Sequence, residues 1–188
     1  MTKAEIRAAK LSERAALTEQ QRRDYSVAIA EHLWAMPEYI MSGAIHVYLA
    51  IREEVETEHI IERAWEEGKT VIVPLVEPHQ SELRHAVFTK GTVLASGPYG
   101  IPQPVNAALL SADEIAILAP LILVPVVAFN SALYRIGYGK GYYDRFLSTV
   151  PYRRIGLAYA MQHAEFQPDA HDVPLDAVVT EHGVLRRW

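Results

Sequence analysis

Apolar and polar positions along the chain alternate between two periods, and the alternation outlines the elements. Residues 2–16 place Ile6 and Leu11 among lysines and arginines, which predicts a helix. Leu17-Thr18 interrupts it, and Thr18 with Gln21 three positions later fits a capping box that starts a second helix ending near Met36. Residues 44–50 (AIHVYLA) read as a strand. The acidic run from Glu53 leads into a helix with Thr57 as its N-cap and Gly68 at its C-terminal stop. Residues 69–75 (KTVIVPL) predict a second, buried strand and residues 83–88 a third. The proline and glycine density of residues 97–104 (GPYGIPQP) predicts turns rather than a core element. Residues 121–126 are continuously apolar, as in a parallel sheet covered on both faces. A glycine-rich loop is expected directly after them, then a helix over residues 142–150 and strands at 154–159 and 177–180.

Strands and helices alternate, so the expected fold is α/β, a single domain over residues 1–188 with a largely parallel sheet flanked by helices. There is no internal repeat and no linker that would mark a second domain. Half of the 188 residues are apolar and 22% are charged, an ordinary globular balance. The net charge of −5 argues against non-specific nucleic-acid binding. Without cysteine, disulfides, thiolate nucleophiles and Cys-ligated zinc are excluded. The N-terminal MTKAEIRAAKLSERAAL is charged throughout, unlike a secretory signal. The longest apolar run, residues 115–129, contains Pro120 and Pro125 and is too short to span a bilayer. These features predict a soluble, cytoplasmic monomer with neither nucleic-acid nor membrane partners.

The candidate chemistry lies in YRIGYGKGYYDRF, residues 134–146. Three alternating glycines suit neither helix nor strand, but they let successive backbone N–H groups converge on an anion. An apolar strand, then this loop, then a helix is the order in which open α/β sheets present a helix N-terminus to a phosphate. Arg135 and Lys140 add positive charge, and Asp144 could hold a divalent cation. The loop is not a dinucleotide fingerprint, which would need glycine at Tyr142. Nor is it a Walker motif, which would need glycine at Tyr134 and Ser or Thr at Gly141. A glycine-rich turn with charged neighbours, and with Asp144 merely complementing the helix dipole, is the competing reading.

RIGYGKGYYD (Arg135 to Asp144) resembles the signature of the 5-formyltetrahydrofolate cyclo-ligase family, also called methenyltetrahydrofolate synthetases. KAEIRAAKLSERAAL resembles the family's opening helix, and YLAIREEVETEHI its acidic segment after a strand. GKTVIVP, YGIPQP and HDVPLDAVVTE follow in the family's order, so the resemblance covers nearly the whole chain. It implies a Rossmann-like three-layer fold of the kind shared with sugar-phosphate isomerases and CoA transferases. The chain departs from the family pattern at Pro120, where aspartate is usual, and at Val126, where glycine is usual. Asn130 often aligns with aspartate, and Leu133 stands near a glycine position. These departures concern the approach to the loop.

The resemblance implies ATP- and magnesium-dependent conversion of 5-formyltetrahydrofolate to 5,10-methenyltetrahydrofolate. Lys3 and Arg7, four residues apart on one helix face, would contact ATP; a solvated basic stripe is the alternative. Arg135, Ile136, Gly137, Tyr138, Gly139, Lys140, Gly141, Tyr142 and Tyr143 would wrap its phosphates, with Arg135 and Lys140 as the catalytic cations. Asp144 and Asp172 would hold magnesium. Leu49, Glu54, Tyr99, Tyr138 and Tyr142 would bind the folate, with Glu54 selected from Glu53, Glu54 and Glu56 only by the family match. A non-catalytic folate- or nucleotide-binding protein and a sugar-phosphate isomerase remain the competing classes. His171, beside Asp172, is expected to be structural.

Overall fold

The computed structural model describes residues 1–77 and 79–187. Its helices are α1 (Lys3–Ala15), α2 (Glu19–Trp34), α3 (Pro37–Met41), α4 (Glu58–Glu66), α5 (Ala112–Leu118) and α6 (Tyr142–Thr149). Its strands are β1 (Ala44–His46), β2 (Thr70–Leu75), β3 (Arg84–Val87), β4 (Leu94–Ser96), β5 (Pro102–Pro104) and β6 (Leu121–Pro125), then β7 (Ala128–Phe129), β8 (Arg135–Ile136), β9 (Arg154–Leu157), β10 (Ala177–Thr180) and β11 (Gly183–Arg186). Seven strands form one sheet in the order β11-β10-β9-β6-β1-β2-β3. The five inner strands are parallel, and β3 and β11 close the two edges antiparallel. The expected α/β fold with a largely parallel sheet is the one observed.

Period-2 alternation within the apolar strands assigns each face its own core. Leu121 and Leu123 of β6 pack with Ile29 and Leu33 of α2 and Ile60 and Ala64 of α4. Ile122 and Val124, pointing the other way, pack with Phe146 and Leu147 of α6. The sheet is therefore covered on both sides, and burying a side chain such as Leu123 contributes about 1.5–3 kcal/mol.

Several local expectations need correction. The loop does not follow β6 directly, because the β7–β8 hairpin intervenes. Residues 97–104 hold a short 3-10 turn, but Pro102–Pro104 pairs antiparallel with Leu94–Ser96 in a two-stranded arm. Proline is tolerated in so short a pair, away from the main sheet. Thr57 sits at the N-cap of α4, yet its hydroxyl donates to the Tyr48 carbonyl at 2.8 Å instead of capping the helix. Helix α2 stops at Trp34, and Pro37 then opens α3 at a first-turn position that needs no N–H donor. Strand β1 is shorter than expected: Val47 still donates to the Ile72 carbonyl at 2.8 Å, and Tyr48 and Leu49 then line the cavity described next.

The departures at the loop approach are each accommodated. Asn130 is buried; its Nδ2 donates to the Phe166 carbonyl at 3.0 Å and its Oδ1 accepts the Tyr134 N–H at 2.9 Å. Leu133, buried among Ile122, Phe146 and Leu175, holds the left-handed backbone (φ 61°) that glycine adopts more cheaply. The Val126 carbonyl accepts from Gln162 Nε2 at 2.6 Å. Pro120 follows Ala119, which closes α5 in a left-handed cap.

Candidate active site

The parallel strands end at a cavity of about 500 Å³, where open α/β sheets bind ligands. Every residue singled out from the sequence lines it: Lys3, Arg7, Leu49, Glu54, Tyr99, the whole segment from Arg135 to Asp144, and Asp172. The two ends of the cavity differ in chemistry.

The first end is the glycine loop. Each glycine faces a guanidinium. A Cβ on Gly137 would stand 2.9 Å from Arg135 Nη1, one on Gly139 3.3 Å from Arg7 Cζ, and one on Gly141 2.7 Å from Arg145 Nη1. Gly139 and Gly141 also hold left-handed backbone, at φ 91° and 69°. Glycine is thus required twice over, for conformation and for the close approach of cations. Gly141 then caps α6, whose N-terminus opens toward the cavity. Arg135 is buried, and burial lowers its pKa despite the opposing charge of Asp144 at 3.2 Å. Its Nε has no partner among the described residues. Lys140 is exposed, with its ammonium 5.5 Å from the Tyr99 ring.

Helix α1 supplies the remaining cations. Lys3, Arg7, Lys10 and Arg14 recur at helical spacing, so one face presents all four. That face docks instead of being solvated. Lys3 pairs with Asp169 and Asp172, Arg7 Nε donates to the Gly137 carbonyl at 2.7 Å, and Lys10 Nζ to the Met161 carbonyl at 2.7 Å. Arg14 Nη2 donates to the Tyr138 hydroxyl at 2.6 Å. Burial opposes the charge on Lys3, but hydrogen bonds to the two aspartates outweigh it and hold its pKa above the ordinary lysine value. Lys10 and Arg14 carry no motif of their own, and their spacing behind Lys3 and Arg7 is the only sequence signal for them.

The second end is buried and aromatic. Glu54 is 5% exposed, and its Oε2 accepts the Ile51 N–H at 2.9 Å. Burial pushes its pKa up, opposed by that N–H and by Arg14, Tyr138 and Arg52. Tyr138 is pushed up to about 12 by burial and by the Glu54 charge. Tyr143 is raised further for the same reasons, and its hydroxyl has no partner among the described residues. Leu49 and Tyr48 complete this wall. Glu54 is the candidate of its acidic run that lines the cavity; Glu53 and Glu56 are not among the lining residues.

Asp144 and Asp172 line the same cavity, each already paired with a cation: Asp144 with Arg135, Asp172 with Lys3. Among the described residues, Asp169, His171 and Asp172 bring three potential metal-ligand atoms within 4.8 Å of one another, and this grouping does not include Asp144. Asp169 and His171 were not singled out from the sequence for this site. Hard carboxylate oxygens suit magnesium, and Asp144 Oδ2 takes no part in the Arg135 bond. No helix among the described residues is long and apolar enough to cross a membrane.

Residues 1–181 match the model of the 5-formyltetrahydrofolate cyclo-ligase family. A curated relative from Escherichia coli strain K12, named 5-formyltetrahydrofolate cyclo-ligase, is 29% identical over 174 residues, covering 89% of this chain and 93% of its own. One of the same name from Haemophilus influenzae is 31% identical over 172 residues, covering 86% and 88%. Among solved structures, the Aquifex aeolicus 5,10-methenyltetrahydrofolate synthetase superposes with a TM-score of 0.84 at 34% identity, over 99% of this chain and 93% of that one. A synthetase of the same name from Mycoplasma pneumoniae gives 0.77 at 25% identity, over 96% and 99%.

Proposed function

Because the chain belongs to the 5-formyltetrahydrofolate cyclo-ligase family, we propose that it closes 5-formyltetrahydrofolate to 5,10-methenyltetrahydrofolate with consumption of ATP. The observation that supports this best is the two-ended cavity. A cation-lined glycine cradle at one end suits the phosphates of a nucleotide, and a buried carboxylate among tyrosines at the other suits a pterin.

The chemistry requires activation of a poor electrophile. The formyl oxygen attacks the γ-phosphorus of ATP, the P–O bond to ADP breaks, and an imidate-like phosphate ester forms. N10 then attacks the formyl carbon and loses its proton to solvent. The C–O bond breaks, and inorganic phosphate leaves as the ring closes. No protein nucleophile is needed, which agrees with a chain that has no cysteine. The protein's part is positioning and charge stabilisation.

Arg135 and Lys140 stabilise charge on the transferring group, and the loop N–H groups and Arg7 orient the phosphates. Asp144 and Asp172 would hold magnesium, which neutralises phosphate charge when bound. Lys3 binds ATP and holds Asp172 in place. Glu54 accepts hydrogen bonds from the aminopyrimidine edge, and Leu49, Tyr99, Tyr138 and Tyr142 line the folate path.

The test is to mix the protein with MgATP and 5-formyltetrahydrofolate and follow the near-ultraviolet absorbance of the methenyl product. Product formation that requires both ATP and magnesium is expected. Tight folate binding without turnover would instead make the protein a folate-binding module. Turnover of a sugar phosphate without ATP would make it an isomerase.

A further inference from the structure

The proposed chemistry leaves two cations of the α1 stripe unused. Of these, Lys10 is bonded to the Met161 carbonyl and Glu13, whereas Arg14 has no carboxylate partner among the described residues. Arg14 is 1% exposed, deeper than Lys3 or Arg7. Its Nε has no hydrogen-bond partner among the described residues. Its Nη1 reaches only the Val126 carbonyl, at a long 3.4 Å. Its one strong contact is the 2.6 Å bond from Nη2 to the Tyr138 hydroxyl in the glycine loop. A buried guanidinium costs several kcal/mol in lost hydration unless charge or hydrogen bonds compensate it, so this placement calls for a counter-charge nearby.

The buried carboxylate that lines the same cavity as Tyr138 is Glu54. A guanidinium can only donate, so the Tyr138 oxygen is the acceptor and its own proton stays free to donate. Tyr138 and Glu54 line one cavity, so Glu54 is the carboxylate toward which that proton can turn. The Arg14 charge and the Tyr138 hydroxyl both favour its ionised form. The turn over residues 51–54 fixes Glu54 from its other side, through the Ile51 N–H. The remaining ionisable groups facing it are Arg52 from the same turn, Tyr48 beyond β1 and Tyr143 of α6.

We infer that Arg14 is a positioning residue for the folate end of the cavity, holding the Tyr138 phenol as a donor toward Glu54 and supplying the positive charge that offsets the buried carboxylate. The inference rests on the proposed reading, in which Glu54 receives the aminopyrimidine edge. It also gives α1 two duties. Its first two turns serve the nucleotide end and its last turn the folate end, with the glycine loop between them.

The consequence is a pH signature. Removing the Arg14 charge takes away support for ionised Glu54, so the carboxylate gains its proton at higher pH. Folate binding that needs the carboxylate then fails at higher pH, and the acid limb of affinity moves upward. Binding of 5-formyltetrahydrofolate is measured by calorimetry across about pH 5 to 8 for the wild-type protein and for Arg14→Met, Arg14→Lys and Tyr138→Phe. The ligand's own ionisation is common to all four and cancels in ratios to wild type.

Arg14→Met is expected to bind about tenfold more weakly near neutral pH, with its acid limb displaced upward. Arg14→Lys, which keeps the charge, should lie between it and wild type. Tyr138→Phe leaves Arg14 in place and should move the limb in the same direction by less. Equal loss for Arg14→Met at every pH, with an unmoved limb in Tyr138→Phe, overturns the inference. If Arg14→Met does not fold, unmoved limbs in Arg14→Lys and Tyr138→Phe together overturn it. A wild-type protein that does not bind the folate removes the functional reading and this inference with it, whereas binding with unmoved limbs removes the inference alone.

Discussion

Arg7 Nε donates to the carbonyl oxygen of Gly137 at 2.7 Å, tying the first helix to the glycine loop across 130 positions of chain. The same guanidinium covers the space beside Gly139. The proposed nucleotide affinity therefore depends on a contact that neither segment makes alone.

Gly139→Ala should test that contact. The new Cβ would lie 3.3 Å from Arg7 Cζ, and alanine would have to hold φ 91°. The backbone strain costs about 1–2 kcal/mol, and Arg7 must shift. ATP binding should weaken severalfold while 5-formyltetrahydrofolate binding, at the other end of the cavity, changes little. Calorimetric titration of each ligand separates the two, and equal weakening would indicate collapse of the whole loop.

Lys140 is exposed, unlike Lys3, Arg7 and Arg135, and has a tyrosine ring as its neighbour. Removing it should leave folding nearly intact, within about 0.5 kcal/mol. Lys140→Ala should nevertheless lower turnover by about two to three orders of magnitude, the usual scale for a preorganised electrostatic contact. Stopped assays of the methenyl product and a urea midpoint check both halves. Near wild-type turnover removes Lys140 from the chemistry.

Asp144 carries two duties that one substitution can distinguish. As the partner of buried Arg135 it supports the fold, and as a proposed magnesium ligand it sets the metal requirement. Asp144→Asn should cost about 2 kcal/mol, less than the ~3–5 of a fully buried pair, because its side chain keeps 21% exposure. It should also raise the magnesium needed for half-maximal activity. Asp172→Asn should raise it less and free the Lys3 ammonium from one of its two partners. Unchanged magnesium dependence in both variants would reduce the aspartates to ion-pair partners.

A pair of histidines that the sequence offered no reason to connect predicts an acid limit to stability. His46 of β1 and His85 of β3 meet with Nε2 and Nδ1 3.0 Å apart, both against the Phe146 ring. Burial lowers both pKa values, that of His85 to about 4. The unfolded chain therefore binds more protons than the folded one between the ordinary histidine range and about pH 4. Stability should be full above that range and fall as the pH drops through it. Urea midpoints at falling pH should show the loss, and His85→Gln should show less of it. An identical pH slope in the variant would assign the loss to the carboxylates alone.

The outline of the fold was legible because buried strands such as Leu121–Pro125 and capping boxes such as Thr18 with Gln21 are local signals. The glycine-loop end of the cavity was legible for the same reason, since three glycines, two cations and Asp144 lie within ten consecutive positions. What stayed hidden depends on tertiary placement. Arg14 looks like any surface arginine until the Tyr138 hydroxyl arrives from 124 positions away. The β7–β8 hairpin has only two residues per strand, too few to show a period. Strand β11 mixes apolar and basic residues at an edge with half-exposed side chains, which blurs the alternation.

Leu133 offers the sharpest check of the loop approach. It holds φ 61° while 2% exposed, so two opposing effects meet at one residue. Left-handed backbone costs a non-glycine residue about 1–2 kcal/mol. Truncating a buried leucine costs about 2–5 kcal/mol. Packing should win, so Leu133→Ala and Leu133→Gly should both be less stable than wild type. Their order relative to each other is the informative part. Alanine keeps the backbone strain, whereas glycine removes it. At an ordinary position glycine is the less stable of the two by about 0.5–1 kcal/mol, because the unfolded chain gains freedom. Here the strain relief should offset that or exceed it, leaving the glycine variant at least as stable. The N–H and carbonyl of Leu133, bonded to Asn130 and Leu175, are backbone groups that both variants keep, so the hairpin should retain its shape. Urea midpoints of the two variants settle the order. An alanine variant clearly more stable than the glycine one would show that position 133 does not hold left-handed backbone in solution.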